Sequence, residues 1–374
     1  MARIPRRTVL RGAAVAGAAA VSTAAASTAG TEAAAASPPR DGAHQGGAHQ
    51  GGARQAGAHH GGDQEPTVKQ PVTTNVPRGL QDDFDPYYNV IRGQAPASYH
   101  PWVGNRVDRI LLYTRTGGPR HAHLGPALPP GLNPTLTPAH VLQNAVIAWM
   151  GEVGVQVDWT EDVTLMPGIG STYKAVVFGS TSRDTMWKHG TAVSPTAVVN
   201  TTTGAHLDAA KTALRQYMRA GGGFVGIHNA VVGTEYNWIY YEGLCGGTQY
   251  YDHGALQNGT VVTLAEDSST DGLPARWDFR DEWYNWMPFP GRVKFLLGID
   301  ESTLATRSTV HPGHGAFHPM SWCQYYDGGR SFITALGHDS AAWTDGSGYI
   351  GQGFFKKHIV NGILSAMGKL PFCV

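Results

Sequence analysis

From residue 107 onward, short apolar runs alternate with stretches of helical period, and the alternation predicts strands and helices in turn. Residues 107–113 (VDRILLY) and 173–180 (YKAVVFGS) have the length and the Val, Ile, Leu and aromatic content of buried strands; residues 155–159 make a shorter one. Val141, Ala145, Ile147, Ala148 and Met150 predict a helix from about Pro138 to Gly154, with Thr137 as its cap and proline at its first position. Residues 206–220 (HLDAAKTALRQYMRA) form the clearest amphipathic period. They stop at Gly221, Gly222 and Gly223, and residues 224–227 follow as another buried strand. Asp327, Gly328 and Gly329 predict a turn that pairs residues 321–326 with 330–336 as a hairpin, and a closing helix runs over about 354–366. This order predicts an α/β fold, a doubly wound and mostly parallel sheet with helices on both faces. Sheets of this kind bind ligands at the carboxyl ends of their strands.

The front of the chain has a different texture. Arg6 and Arg7 stand just before Val9 and Leu10 and an Ala-rich, weakly hydrophobic stretch with Ala-x-Ala cleavage sites, so residues 1–36 are expected to be a twin-arginine signal peptide and the protein secreted or extracytoplasmic. Residues 37–105 open with a Gly-Ala-His-Gln-Gly repeat over 42–61, carrying His44, His49, His59 and His60, and continue as a proline-rich linker. With little to bury, the tract is expected to be a tether. Tyr87, Tyr88 and Trp102 suggest that part of the linker packs on the ordered domain, expected over residues 106–370.

Charge and cysteine count narrow the class. The chain carries 28 Lys and Arg against 28 Asp and Glu; four arginines and one glutamate lie in residues 1–36, which leaves −3 on the remainder. Phosphate binding needs a positive excess, so a nucleic-acid partner is not expected. No apolar run beyond the N-terminus reaches the roughly 18 residues of a membrane span, so none is expected in the mature chain. Three cysteines, Cys245, Cys323 and Cys373, allow at most one disulfide. Nothing in the chain speaks to oligomeric state.

Chemistry concentrates at the predicted strand ends. In residues 221–230 a strand ends in Gly-x-His and turns abruptly, the setting of a nucleophile elbow with His228 in the nucleophile's place. Histidine there suits acid–base work, hydrogen bonding or metal ligation, and also a purely structural role. The glycines enter the strand instead of joining strand to helix, so they are not a phosphate loop, and no dinucleotide fingerprint supports a flavin or nicotinamide enzyme. We read His228 and Glu282 as a catalytic acid–base pair with His338 orienting or sharing a proton. Arg120, His121, Glu235, Tyr236, His253, Trp283 and His318 are the expected substrate-binding residues, on a small-molecule carbohydrate whose hydroxyls and ring faces suit carboxylates, imidazoles and aromatics. No cofactor is certain from the chain. A divalent metal of the zinc type is open through His121, His228, His253, His318 and His338, although no HxH or HExxH spacing marks it. His311 and His314 lie in a Gly/Pro loop and are read as surface, and Asp300 to Ser302 as a turn cap. A non-catalytic sugar-binding protein is the other reading.

At these residues the chain resembles the ThuA-like (trehalose utilisation) family. The segments that carry the resemblance are Arg120-His121, residues 160–162, 221–228, 234–238, 281–284 and 300–302, His318-Pro319 with Trp322-Cys323, and Gly328 to Arg330 through Ala335 to His338. The resemblance implies the flavodoxin-like fold of class I glutamine amidotransferases and a place in disaccharide or keto-sugar metabolism. In the amidotransferase relatives the elbow residue is a cysteine; His228 takes its place here and His338 matches their late histidine. An imidazole cannot form the thioester, so no amidotransferase activity is expected. The chain departs from the family pattern in a Thr-rich insertion at about 182–204, a proline-rich loop at 117–138, and Asn229, Val231 and Val232.

Overall fold

A computed structural model describes residues 83–95, 106–182, 185–186, 205–231, 238–306 and 310–374, with only the backbone of 205–208. The predicted signal peptide, the histidine repeat and two expected substrate-binding residues, Glu235 and Tyr236, lie outside the described residues.

The strands are β1 (Phe84–Asp85), β2 (Val90–Gly93), β3 (Arg109–Tyr113), β4 (Gln156–Thr160), β5 (Ala175–Gly179), β6 (Gly223–Ile227), β7 (Tyr250–His253), β8 (Gln257–Thr263), β9 (Arg276–Asp281), β10 (Tyr284–Trp286), β11 (Lys294–Asp300), β12 (His318–Tyr326) and β13 (Gly329–Thr334). The α-helices are α1 (Val141–Glu152), α2 (Ala205–Arg219), α3 (Ile239–Leu244) and α4 (Gln352–Ala366). Among the described residues no helix is long and apolar enough to cross a membrane.

The protein is mixed α/β around a large central sheet in the order β4-β3-β5-β6-β13-β12-β11-β8-β9. Its first five strands run parallel, and their members β3, β5 and β6 are apolar nearly throughout, as strands covered on both faces must be. From β13 onward every pairing is antiparallel. The β12–β13 hairpin is the predicted one; β11, β8 and β9, with the separate β7–β10 pair, go beyond the predicted elements, and most of these strands are too polar to stand out as apolar runs. The edge strand β9 shows why. Arg276, Asp278 and Arg280 face outward while Trp277, Phe279 and Asp281 are buried, the period of two that marks a half-covered strand.

Two local differences have plain causes. Helix α1 begins at Val141, three residues after the predicted start. His140 precedes it, and the His140 ring accepts the Thr137 amide at 2.9 Å, so residues 137–140 form a turn of their own. The chain also joins the sheet before residue 106, because Arg92 and Gly93 of β2 pair with Tyr326 and Tyr325 of β12. Arg92 is buried there over the Tyr88 ring and donates to the carbonyls of Gly246 and Gly291. One disulfide closes, Cys323 to Cys373, and Cys245 stays a buried thiol.

Candidate functional site

The site grows from the carboxyl end of β6. Leaving Ile227, the chain turns at His228 with φ of +51°, a left-handed conformation that costs a non-glycine residue about 1 kcal/mol or more. The turn throws the imidazole into the fold, where it is fully buried. Its Nδ1 lies 2.8 Å from the Ala335 carbonyl oxygen, which can only accept, so Nδ1 carries the proton and Nε2 presents a lone pair. Two groups compete for that single lone pair: the Tyr284 hydroxyl at 2.9 Å and Nε2 of His121 at 3.2 Å.

The opposite wall comes from β9 and the turn after β13. Glu282 follows Asp281, and His338 follows Gly337. His338 Nδ1 stands 3.0 Å from Oε2 of Glu282, an ion-pair approach that is not aligned as a hydrogen bond. Burial works against charge on His338, but Glu282 and then Asp281 outweigh it and hold the imidazole above the ordinary histidine value. Burial first, and the neighbouring imidazoles second, push His121 and His228 well below that value, so both rings are neutral at pH 7. His253 completes the rim. Its Nδ1 donates to the Gly254 carbonyl at 2.6 Å, leaving Nε2 3.8 Å from Glu282.

Exposure separates the roles. The side chains of Glu282, His338 and His253 retain 15%, 22% and 24% of their exposure, whereas His228 has none. The closest partner of Glu282 is therefore His338; His228, expected from sequence to pair with it directly, lies 4.0 Å away on the floor of the site.

Donor atoms of His121, His228, Glu282 and His338 all fall within 4.8 Å of one another, and the cluster could hold a metal ion. Zinc–ligand bonds of about 2.0–2.1 Å place tetrahedral donors roughly 3.3 Å apart, close to the 3.2 Å between His121 and His228 and the 3.0 Å between Glu282 and His338. Buried Nδ1 atoms of His121 and His338 have no hydrogen-bond partner among the described residues. Three imidazoles and a carboxylate form a donor set suited to a borderline cation such as zinc.

Other expected residues lie elsewhere. Arg120 forms a buried ion pair with Glu161 at 2.6 Å and donates to the carbonyl of Gly125, so it ties loops together instead of facing a ligand. Trp283 is buried, with its indole N–H donating to the Gln257 carbonyl, and lies outside the four-residue cluster. His318 is buried between Glu301, 2.8 Å from Nδ1, and the Tyr284 carbonyl, 2.7 Å from Nε2. His311, read as surface, is buried, and the His314 ring accepts the Trp286 amide. Burial pushes His314 down to about 4. Asp300 caps its turn by accepting the Ser302 amide, as expected. A small cavity lined by Trp283, Asn285, Glu301 and His318 contains none of the four clustered residues. The sequence reading missed Tyr284, His123 and Asp281. Of these only Asp281 had a signal, a carboxylate at an inward position of β9.

The trehalose utilisation family, ThuA, matches residues 109–366, which include all four clustered residues. The chain belongs to the ThuA family. Membership gives this ThuA protein a carbohydrate-related role in broad terms. Among solved structures it is similar to a ThuA-like protein from Bacteroides uniformis, at 18% identity and a TM-score of 0.49, over 74% of this chain and 96% of that one. A ThuA-like protein from Parabacteroides merdae is similar at 17% identity and a TM-score of 0.47, over 71% and 92%. A search of curated proteins finds no match.

Proposed function

We propose that this ThuA protein is an exported enzyme of disaccharide or keto-sugar metabolism, working by proton transfer at a centre in which His121, His228, Glu282 and His338 hold a zinc-type divalent cation. The observation that carries the reading is the convergence of the four donor atoms within 4.8 Å. Such a cation would polarise a sugar carbonyl or lower the pKa of a bound water. His228, its tautomer fixed by Ala335, supplies a neutral nitrogen from the floor. At the rim, the carboxylate oxygen of Glu282 left off the cation can take or return a proton at a substrate carbon or oxygen, and His253 can accept a hydroxyl hydrogen at Nε2. Amidotransferase chemistry is excluded from the proposal because the elbow carries an imidazole, which forms no thioester. Export is supported by Arg6 and Arg7 and by the Cys323–Cys373 bond, since disulfides persist in oxidising compartments.

A second reading keeps the carbohydrate chemistry and dispenses with the cation. The 3.0 Å contact between His338 and Glu282 favours it, because that pair alone can relay a proton. Metal content decides between the two. The full chain is purified with His44, His49, His59 and His60 replaced by Asn, which removes adventitious binding, and is analysed by inductively coupled plasma mass spectrometry beside its His228→Ala derivative. About one equivalent of metal that vanishes with His228 is the expected result. Absence of metal from both, after incubation with zinc and gel filtration, overturns the cation and leaves the His338–Glu282 pair. Glycosides and keto-sugars are then screened for turnover, and a failure of every class returns the protein to sugar binding without catalysis.

A further inference from the structure

We propose that Asp281, with His123 opposite it, is the positioning residue of this centre: one buried carboxylate sets the distance between Glu282 and His338. The proposal rests on the reading of those two residues as working groups and adds what holds them. Period two along β9 carries Trp277, Phe279 and Asp281 to the buried face, so a carboxylate stands where the pattern calls for an apolar side chain. It has no exposure at all, and taking a carboxylate out of water costs several kcal/mol unless it is hydrogen-bonded.

Its hydrogen bonds show where it acts. Oδ1 accepts the Glu282 amide at 2.8 Å and the His338 amide at 3.2 Å, and Oδ2 accepts the Gly337 amide at 2.7 Å. The backbones bearing both halves of the 3.0 Å Glu282–His338 contact thus hang from one carboxylate, although 56 residues separate them. From the other side, Nδ1 of the buried His123 donates to the His338 carbonyl at 2.8 Å, and its Nε2 accepts from the Ser180 hydroxyl at 2.8 Å. The Trp343 indole N–H holds the Gly337 carbonyl at 2.9 Å. His338 is therefore fixed at both its amide and its carbonyl. A core that needed only packing would be served as well by leucine at position 281.

The test uses the full chain and its Asp281→Asn variant, which keeps the side-chain volume but turns a donor toward one of the three amides. Two readouts are taken: the d–d absorption and affinity of added Co(II), and, in metal-free protein, the long-range proton–nitrogen spectrum of the imidazoles. Cobalt affinity is expected to fall about 10- to 100-fold with a change in band intensity, as when a supporting partner of a ligand is lost. The His338 Nδ1 resonance should shift while that of His358, bonded to Ser269 and Ser321, stays in place. A variant that melts earlier but keeps the wild-type cobalt spectrum, affinity and His338 resonance would reduce Asp281 to a structural residue and overturn the proposal. If wild type takes up no cobalt, the cation falls and the metal-free spectrum still decides on Asp281. Should Asp281→Asn fail to fold, His123→Phe releases the same peptide from the other side, and an unmoved His338 resonance there overturns the proposal equally.

Discussion

Replacing Tyr284 by Phe removes one oxygen atom and pulls two measurable quantities in opposite directions. The Tyr284 hydroxyl sits 2.9 Å from Nε2 of His228, inside the core, and caps the lone pair that the Ala335 hydrogen bond forces to face the site. A buried hydrogen bond of this kind contributes about 0.5–1.5 kcal/mol net. Its loss should lower the melting temperature of the metal-free protein by roughly 2–4 °C per kcal/mol. A cation bound to His228 must displace that cap, so the same deletion should tighten zinc binding roughly two- to twelve-fold, the same free energy read as an affinity. Differential scanning fluorimetry in chelator gives the first number and competition against a chromophoric chelator the second. A weaker zinc affinity in Tyr284→Phe would show that the hydroxyl helps to hold the ion instead of standing in its place. An unchanged melting temperature would show that the hydroxyl does not hold the lone pair, which His121 then shares alone.

Two further outcomes follow from the backbone and the cross-link. At φ of +51° a glycine is at ease where alanine is strained, so His228→Gly should melt about 2–4 °C above His228→Ala while both lose metal; the reverse order would remove strain at the elbow from the account. Cys373→Ser opens a bridge spanning 50 residues, which by chain entropy contributes about 4 kcal/mol. Denaturant unfolding of that variant, and of wild type under reductant, should agree with each other, and a loss of under about 1 kcal/mol in both would refute a stabilising role.

The parallel half of the fold was legible because strands covered on both faces must be apolar throughout, and β3, β5 and β6 are. Of the antiparallel half only the β12–β13 hairpin was, through its Asp-Gly-Gly turn; β7, β8 and β9 mix inward and outward positions and carry Asp, Asn, Gln and Arg that read as loop. The same division runs through the site. His228 announced itself by the glycines before it and the abrupt turn, and Glu282 and His338 by their place beside aromatics and glycine. Arg120 and Trp283 looked equally chemical, yet the sequence could not show that Glu161 and the Gln257 carbonyl already occupy them. Tyr284 lay in the 281–284 segment without showing a role, because only the tertiary fold brings its hydroxyl to His228.

The bond between Cys323 and Cys373 joins the middle of β12 to the penultimate residue of the chain, with the Phe372 ring packed on Tyr325 beside it. Both partners belong to the last seventh or so of the polypeptide, and Cys373 follows every strand of the sheet, so closing the bond requires nothing of the earlier fold to be undone. The thiols of a molecule held in a reducing cytoplasm stay open, and those of one that has reached an oxidising space close. The ratio of open to closed pairs in protein taken directly from its cells is therefore a ledger of location, kept by the molecule itself and readable by alkylation and mass spectrometry without any tag.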